Sequence, residues 1–264
     1  NLTRFSLFFP EKREFFLEGQ GIFSFADAGV LNWSGPPSDT PVLFFSRRIG
    51  LEGGNEVPIR AGGRVTGRAG PYSIGLLNIQ TGDSASADTL STNFSVVRVK
   101  RDMLRRSNFG VIYTRRNRLT KGVGINQVYG ADLTFRFYEN INFTNYYAQT
   151  HTPNLEGSNA SYQSKFDYTG DRYGVEAEHL TVDKNFNPEI GFLRRDNFRR
   201  NFAKFRFSPR PRSIPWLRRM IYQGTFKYIT NMAGDLETRE SKLRLEMELE
   251  NSDKWFVEYT DAFE

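Results

Sequence analysis

The chain has 264 residues, of which 38% are hydrophobic, 15% aromatic and 25% charged. Its length suits one large domain, and the absence of any apolar run of about 18 residues excludes membrane-spanning helices. It contains no cysteine and only two histidines, which excludes disulfide scaffolds, thiolate zinc sites and cysteine nucleophiles. The net charge of +6 is spread along the chain without a basic helix or binding motif, so nucleic acid is not expected as a partner.

Residues 1–41 form a segment that does not alternate between polar and apolar residues. Residues 11–18 combine charged side chains with paired aromatics, and Gly35-Pro36-Pro37-Ser38 is typical of a linker or turn. We expect this segment to precede the first strand as a plug-like or periplasmic element. Its charged residues are candidates for ligand binding or gating in a barrel lumen: Glu11, Lys12, Arg13 and Glu18. The alternative, which we favour, is a salt-bridged plug, because buried charges need partners.

Residues 42–264 are predicted to form an antiparallel β-structure because polar and apolar residues alternate with a period of two. Residues 236–250 test this interpretation, since they are rich in helix-forming residues. Leu243, Leu245, Met247 and Leu249 nevertheless alternate with charged residues, and a helix would scatter them around its circumference. About thirteen strands are predicted, near 42–49, 58–66, 72–81, 92–101, 107–116, 127–138, 141–151, 160–169, 172–182, 199–208, 219–231, 236–250 and 254–264.

The lengths of the strands and connections predict a transmembrane β-barrel. Most strands have about 9–11 residues, the length that a tilted strand needs to cross a bilayer, and long and short connections mostly alternate. Connection 209–218, rich in proline, is long where a short turn is expected. An odd strand number and a last strand without a return turn predict an incomplete barrel, truncated at the C-terminus.

The alternation also predicts which face of each strand meets lipid. The apolar rows are expected to face outward: Tyr129, Leu133, Phe135, Phe137, Tyr162, Phe166, Tyr168, Leu243, Leu245, Met247 and Leu249. The polar rows are expected to face the lumen, with acidic and basic residues paired across strands: Asp132, Arg136, Lys165, Asp167, Arg244, Glu246 and Glu248.

A second group of candidate ligand-binding residues lies in the long connection before residue 199. Loops on rigid scaffolds often carry binding residues, and the candidates are Asn185, Asn187, Glu189, Arg194 and Arg195. An ordered surface loop without a ligand is the favoured alternative. Oxygen ligands for Ca²⁺ from Asp183, Asn185, Asn187 and Glu189 are a weaker one, and neither a metal site nor a cofactor is predicted.

No catalytic residue is predicted. Glu176 and Glu178, or Glu246 and Glu248, are same-face neighbours about 7 Å apart, a separation that inverting glycosidases use. The same pattern describes any polar strand face, which is the favoured interpretation. The two histidines, His151 and His179, lack a convincing Ser/Asp partnership.

Several motifs in order along the chain resemble one known family. They are Phe8-Phe9-Pro10-Glu11-Lys12-Arg13-Glu14-Phe15-Phe16-Leu17-Glu18, Phe45-Ser46-Arg47-Arg48-Ile49-Gly50, Gly75-Leu76-Leu77-Asn78-Ile79-Gln80-Thr81, Val97-Arg98-Val99-Lys100-Arg101-Asp102 and Asn185-Phe186-Asn187-Pro188-Glu189-Ile190-Gly191-Phe192. They resemble domain of unknown function 5916, a bacterial barrel-type domain usually found behind a family 9 carbohydrate-binding module. The resemblance implies contact with outer-membrane lipid and a carbohydrate context, supplied by a module outside this chain. It supplies no catalytic residues.

The predicted function is therefore that of a bacterial outer-membrane β-barrel. It would act in the passage or surface handling of carbohydrate-related ligands, without catalysis in this chain. Two alternatives remain: part of a membrane-bound carbohydrate-active enzyme, and a soluble β-rich binding protein. A continuous apolar belt on the exposed face would separate a barrel from a soluble sheet, and carboxylates converging in one pocket would favour an enzyme.

Overall fold

A computed structural model describes residues 11–26, 39–118 and 124–264, and these residues are mostly in β-strands. The predicted linker at 35–38 lies outside the described residues. One helical turn, α1 (Glu14–Leu17), and 3-10 turns at Gln20–Phe23 and Ser46–Arg48 precede the strands. The fourteen strands are β1 (Leu51–Glu52), β2 (Asn55–Glu56), β3 (Ile59–Ala69), β4 (Tyr72–Thr81), β5 (Thr92–Met103), β6 (Ser107–Arg118), β7 (Ile125–Phe137), β8 (Ile141–His151), β9 (Ala160–Thr169), β10 (Tyr173–Val182), β11 (Phe198–Phe207), β12 (Leu217–Asn231), β13 (Leu236–Leu249) and β14 (Lys254–Phe263).

Strands β3 to β14 form one twelve-stranded sheet in sequence order, while β1 and β2 form a separate two-stranded hairpin. The pairs of the large sheet are antiparallel, as in β5–β6 and β12–β13. Among the described strands, β3 and β14 lie at the two ends of the order and do not pair with each other. The prediction of an all-β, antiparallel and open sheet is therefore confirmed.

The predicted strand at 42–49 is wrong. Val42 makes a single antiparallel bridge to Phe192, Phe45 N–H donates to Ile190 O, and a 3-10 turn follows at Ser46–Arg48. Leu43 and Phe45 are both buried, so these residues belong to the hydrophobic core and do not form a strand of the sheet. Without it, the large sheet has twelve strands, and the argument from an odd strand number loses its basis.

The chain divides into two compact units, and each is described separately. Unit 1 comprises the described residues within 1–134, 145–162 and 182–197, and unit 2 comprises 135–144, 163–181 and 198–264. The apolar core of unit 1 joins residues before β1 to one face of the sheet, and burial of such side chains is the main force that stabilises this packing. Its members include Phe16, Phe23, Phe25, Leu43, Ile49, Leu77, Val96, Ile112 and Val128.

The register of β3 to β7 assigns the two faces of unit 1. We call the face that carries Leu77, Val96 and Val128 the covered face, because residues 11–26 and 39–50, here the N-terminal segment, pack on it. We call the opposite face, with Leu76, Val97 and Tyr129, the apolar face.

In unit 2 the register of β11 to β14 separates two faces in the same way. One row of residues is polar, as in Gln223–Arg244–Glu258, and we call this the polar face. The next row is apolar, as in Tyr222–Leu245–Val257, and lies on the apolar face of this unit.

Candidate functional site

Glycines inside the strands of unit 1 let the N-terminal segment approach the covered face closely. A Cβ atom at Gly75 would lie 2.9 Å from Phe23 Cε1, and one at Gly130 would lie 2.8 Å from Phe25 Cε2. Phe23 and Phe25 are both buried, and the Phe25 ring also packs edge-on against Tyr146, with ring centroids 5.4 Å apart. Glycine in a strand often marks such a close approach of another part of the chain.

A buried ion pair fastens the segment next to these contacts. Arg98 Nη1 and Nη2 donate to Asp132 Oδ1 and Oδ2 at 2.6 and 2.8 Å, with side chains 0% and 3% exposed. The pair passes over Gly110 of the intervening strand, where a Cβ atom would lie 2.6 Å from Arg98 Nη1. Both partners also bind the segment: Asp132 Oδ2 accepts from Ala26 N–H at 2.9 Å, and Arg98 Nε donates to Ser24 O at 3.1 Å.

Two further cations of the covered face bind the backbone of the segment. Lys100 Nζ donates to Ser24 Oγ at 2.7 Å and to Gly21 O at 3.2 Å. Arg64 donates to the carbonyl oxygens of Phe15 and Glu18 and pairs with the Glu18 carboxylate at 2.5 Å. Arg64 of β3 therefore binds carbonyl groups that the short helical turn leaves without intrahelical partners.

Glu11 anchors the start of the described segment. Its carboxylate accepts from Arg13 Nε and Nη2 at 2.9 and 2.7 Å and from Ser46 Oγ at 2.7 Å. Arg13 Nη1 also donates to Ile49 O at 2.7 Å. Burial of the Glu11 carboxyl group opposes ionisation, but the hydrogen bonds from Arg13 and Ser46 outweigh it, which lowers the pKa of Glu11 to about 2.

The candidate residues of the N-terminal segment are thus placed individually. Glu11 and Arg13 join the two parts of the segment, Glu18 pairs with β3, and Lys12 is exposed. These contacts hold the segment on the sheet, and both a plug within a barrel and a ligand role for the four residues stay predictions.

The long connection between β10 and β11 is fastened to other long connections at the same end of unit 1. Arg116 pairs with Glu52 at 2.8 Å and with Glu189 at 3.2 Å. The Asn126 side chain donates to Asn187 O at 2.8 Å, and Asn185 Nδ2 donates to Gly157 O at 3.0 Å. Glu189 and Asn187 therefore contact the ends of β6 and β7, and Asn185 contacts the loop between β8 and β9.

The remaining residues of that loop bind different parts of the chain. Arg194 pairs with Asp39 at 3.2 Å, Arg195 is half-buried, and Asp183 Oδ2 accepts from Ala160 N–H at 3.0 Å. Within the described ranges, no three or more Asp, Glu or His side chains are grouped as a metal site requires. The alternative of a Ca²⁺ site at Asp183–Glu189 gains no support from these positions.

Acidic and basic residues are interleaved on the polar face of unit 2. Glu176 lies 3.1 Å from Lys165 and 3.9 Å from Lys204, and Glu178 pairs with Arg200. Glu176 and Glu178 therefore each contact a cation, as is expected for residues on a polar strand face.

The same holds for β12 to β14. Arg244 pairs with Glu246 at 2.7 Å and with Glu258 at 3.4 Å, and Glu248 pairs with Arg219 at 2.8 Å. Two other residues were expected in the lumen. The Asp167 carboxylate accepts a hydrogen bond from Thr169 Oγ1 at 2.9 Å, and Arg136 is exposed. The expected acid–base pairs are present, whereas the assignment of these residues to a barrel lumen stays a prediction.

Exposed apolar side chains on the apolar face of unit 1 lie side by side across five strands. The register aligns Val65, Leu76, Val97, Tyr113 and Tyr129, of which Val65 and Tyr129 are 65% and 52% exposed. The row two residues nearer the long connections is polar instead: it contains Asn78, Ser95, Arg115 and Gln127. The apolar band therefore ends sharply at a row of polar side chains.

Unit 2 carries a comparable band. Leu243 and Tyr259 are aligned neighbours, 62% and 64% exposed, and Val257, next to Leu245, is 72% exposed. Toward the turn between β12 and β13 the same face carries Arg239, Ser241 and Asp261. Of the residues expected to face outward, several are indeed exposed: Tyr129, Phe137, Tyr162, Phe166 and Leu243.

Comparisons with known proteins gave no similarity: no family model, no curated protein and no solved structure matches the chain. In the described part of the chain, no helix has the length and apolar character needed to cross a membrane.

Proposed function

We propose that the chain forms the wall of a bacterial outer-membrane β-barrel whose covered face holds the N-terminal segment. The proposal rests chiefly on one observation, the exposed apolar rows that run in register across consecutive strands of each unit. Water-soluble proteins rarely expose contiguous apolar patches larger than a few hundred Å². In outer-membrane barrels, such rows contact the acyl chains.

The dimensions of the apolar band support contact with lipid. Phe226 and Tyr228 of β12 extend the apolar row beyond the level of their polar neighbours Ser241 and Arg239 on β13. The apolar row of β12 therefore runs from Met220 to Tyr228, which is about 27 Å along the strand at about 3.4 Å per residue. A tilt of about 40° reduces its height to about 21 Å, close to the apolar band of about 25 Å in outer-membrane barrels. In unit 1, the polar row that contains Asn78 and Ser95 marks the border between the apolar band and the lipid headgroups.

The two alternatives have less support. A soluble binding protein would leave Val65, Tyr129, Leu243 and Val257 in water, where their exposure is unfavourable. A carbohydrate-active enzyme needs carboxylates that converge on one pocket. The candidate carboxylates are instead each paired with a cation: Glu176, Glu178, Glu246 and Glu248.

The carbohydrate part of the proposal has a different basis. It rests on the resemblance to domain of unknown function 5916 and on the charged polar face, which suits a hydrated passage. Swelling of liposomes that contain the full chain, measured in solutions of mono- and oligosaccharides, tests this part. Equal swelling rates with and without the protein would contradict it.

The membrane part is tested by site-directed labelling, which is simple because the chain contains no cysteine. We suggest three single variants, Leu76→Cys, Asn78→Cys and Glu56→Cys, each carrying an environment-sensitive fluorophore in lipid vesicles. Leu76 and Asn78 are exposed on the same face of β4, and Glu56 is exposed in the β1–β2 hairpin. Quenching by brominated acyl chains should be strong at position 76, weaker at 78 and absent at 56. Water-like emission without quenching at all three positions would overturn the proposal.

A further inference from the structure

We propose that unit 2 binds one anionic phospholipid, with the lipid phosphate at Arg172 and an acyl chain in the groove at Gly224. This inference rests on the proposed function, since it requires the apolar face to meet a bilayer. It explains a feature that the barrel pattern does not, the long connection between β11 and β12.

The connection of residues 208–216 is held rigidly beside the short turn between β9 and β10. Ser208 N–H donates to Arg172 O at 2.7 Å, and Arg210 binds both oxygens of Asp171 at 2.6 and 2.9 Å. The other end is tied to the turn after β13, because Glu250 N–H donates to Trp216 O at 3.1 Å. The three neighbouring connections therefore form one fixed surface.

This surface has an excess of positive charge. Outside the rows of the polar face, the cations here are Arg172, Arg210, Arg212 and Arg218, and the anions are Asp171, Glu250 and Asp253. Asp171 is engaged by Arg210, and Glu248 is engaged by Arg219 and Arg218. Among the described residues, the exposed Arg172 and Arg212 make no ion pair with a carboxylate. The ammonium group of a zwitterionic headgroup would be repelled by these arginines, whereas an anionic headgroup has no such group. An anionic headgroup is therefore favoured.

Arg172 is positioned at the top of a stack of aromatic rings. Its Cζ lies 5.8 Å from the centroid of Tyr173 and 5.4 Å from that of Phe207. Tyr173 and Phe207 are stacked with centroids 5.3 Å apart, and Phe207 and Tyr222 are stacked at 6.1 Å. Aromatic side chains concentrate at the bilayer interface, and a guanidinium group can bind phosphate with two parallel hydrogen bonds.

The groove begins where this stack ends. It has a volume of ≈ 480 Å³ and lies over Gly224, lined by Phe205, Tyr222, Leu243 and Val257 among others. Gly224 leaves this space open, since the nearest atom to a Cβ there would be Leu243 Cδ2 at 3.5 Å. Tyr222 belongs to both the stack and the groove, so a lipid with its phosphate at Arg172 can lay an acyl chain along the apolar row.

The test uses the full chain in bilayers of phosphatidylcholine with added spin-labelled phosphatidylglycerol or spin-labelled phosphatidylcholine. The motionally restricted fraction of each lipid measures its association with the protein. We expect wild type to prefer phosphatidylglycerol by about fivefold, as one basic residue near the surface gives. Arg172→Gln should reduce this preference to near one, and Gly224→Leu should reduce it by filling the groove.

Arg199→Gln is the matched control, because it removes an equally exposed charge at the opposite end of β11. An equal loss of preference in Arg172→Gln and Arg199→Gln would show attraction by net charge alone and would overturn the site. Equal restriction of both lipids by wild type would also overturn it, while leaving the membrane proposal intact. Absence of any restricted lipid would instead contradict the proposed function itself.

Discussion

At the scale of single residues, the buried pair of Arg98 and Asp132 determines how the N-terminal segment is held. Both charges are buried, and each is compensated by the opposite charge of its partner. Both side chains also form hydrogen bonds with the backbone of the segment. Removal of one partner leaves the other charge buried without compensation, and this is much more costly than the loss of an exposed pair.

We therefore expect Asp132→Asn to lower the free energy of unfolding by about 3–5 kcal/mol. Asp102→Asn is the control, because it breaks the Arg68–Asp102 pair, whose side chains are 68% and 50% exposed; it should cost about 0–1 kcal/mol. Urea unfolding of both variants in detergent micelles, followed by tryptophan fluorescence, measures the difference. Equal costs would contradict the role of Asp132.

Glu11 gives this anchoring a dependence on pH. The pKa of Glu11 is lowered from 4.5 to about 2 in the folded chain. The stabilisation of the folded state by the ionised Glu11 carboxylate is therefore complete above about pH 5 and is lost as the pH falls through 2. Glu11→Gln should reduce stability at pH 7, and the difference from wild type should shrink between pH 5 and 2.

Glu14→Gln is the matched control for that titration, since Glu14 is an exposed glutamate in the helical turn that follows Glu11. Thermal unfolding of wild type and both variants from pH 7 to pH 2 makes the comparison. A difference between wild type and Glu11→Gln that stays constant over this range would show that ionisation of Glu11 is not responsible.

At the scale of the elements, alternation predicted the strands of the large sheet because one face of each is polar or covered and the other is apolar. It even overrode helix propensity in β13 (Leu236–Leu249). It failed at 42–49, where Leu43 and Phe45 are buried in the core and the backbone makes only one bridge. Alternation did not predict the β1–β2 hairpin, because its strands have two residues each and a period of two is not visible over so short a length.

The candidate site was only partly accessible from the sequence. Charged residues such as Asp132 could be assigned to the polar row, but its pairing with Arg98 spans an intervening strand and requires the register of three strands. The sequence feature that indicates this packing is a set of glycines within the strands, because glycine in a strand often marks the close approach of another part of the chain. These glycines are Gly75, Gly110 and Gly130. The sequence alone did not reveal that the N-terminal segment was the approaching part.

The apolar face allows a test with two neighbouring positions on β13. Leu243→Arg places a charge within the apolar band, next to Tyr259, whereas Ser241→Arg places it at the polar border next to Asp261. In lipid vesicles, Leu243→Arg should reduce the unfolding free energy by about 2–4 kcal/mol and Ser241→Arg by about 0–1 kcal/mol. Both residues face away from the polar face, so a water-soluble sheet would tolerate both substitutions alike, and similar small costs would argue against membrane insertion.

At the scale of the whole molecule, the interleaved charges of unit 2 predict how the proposed barrel conducts ions. Carboxylates and cations alternate on the polar face, as where Glu258 lies 3.2 Å from Lys242 and 3.4 Å from Arg244. Paired charges of both signs produce no strong field of one sign along the wall. A wet passage lined by this face is therefore expected to be only weakly selective between anions and cations.

Removal of one carboxylate from that face should shift the selectivity in a defined direction. Glu258→Gln leaves Lys242 and Arg244 with less compensation, so the reversal potential in a KCl gradient should move toward that of chloride. Asp261→Asn removes the same charge from the same strand, but its side chain lies in the row of the apolar face. Recordings of the full chain in planar bilayers should therefore show a shift for Glu258→Gln and none for Asp261→Asn. Equal shifts would mean that the two faces are not separated as proposed, and strong anion selectivity of the wild type would contradict the balance of charges on the polar face.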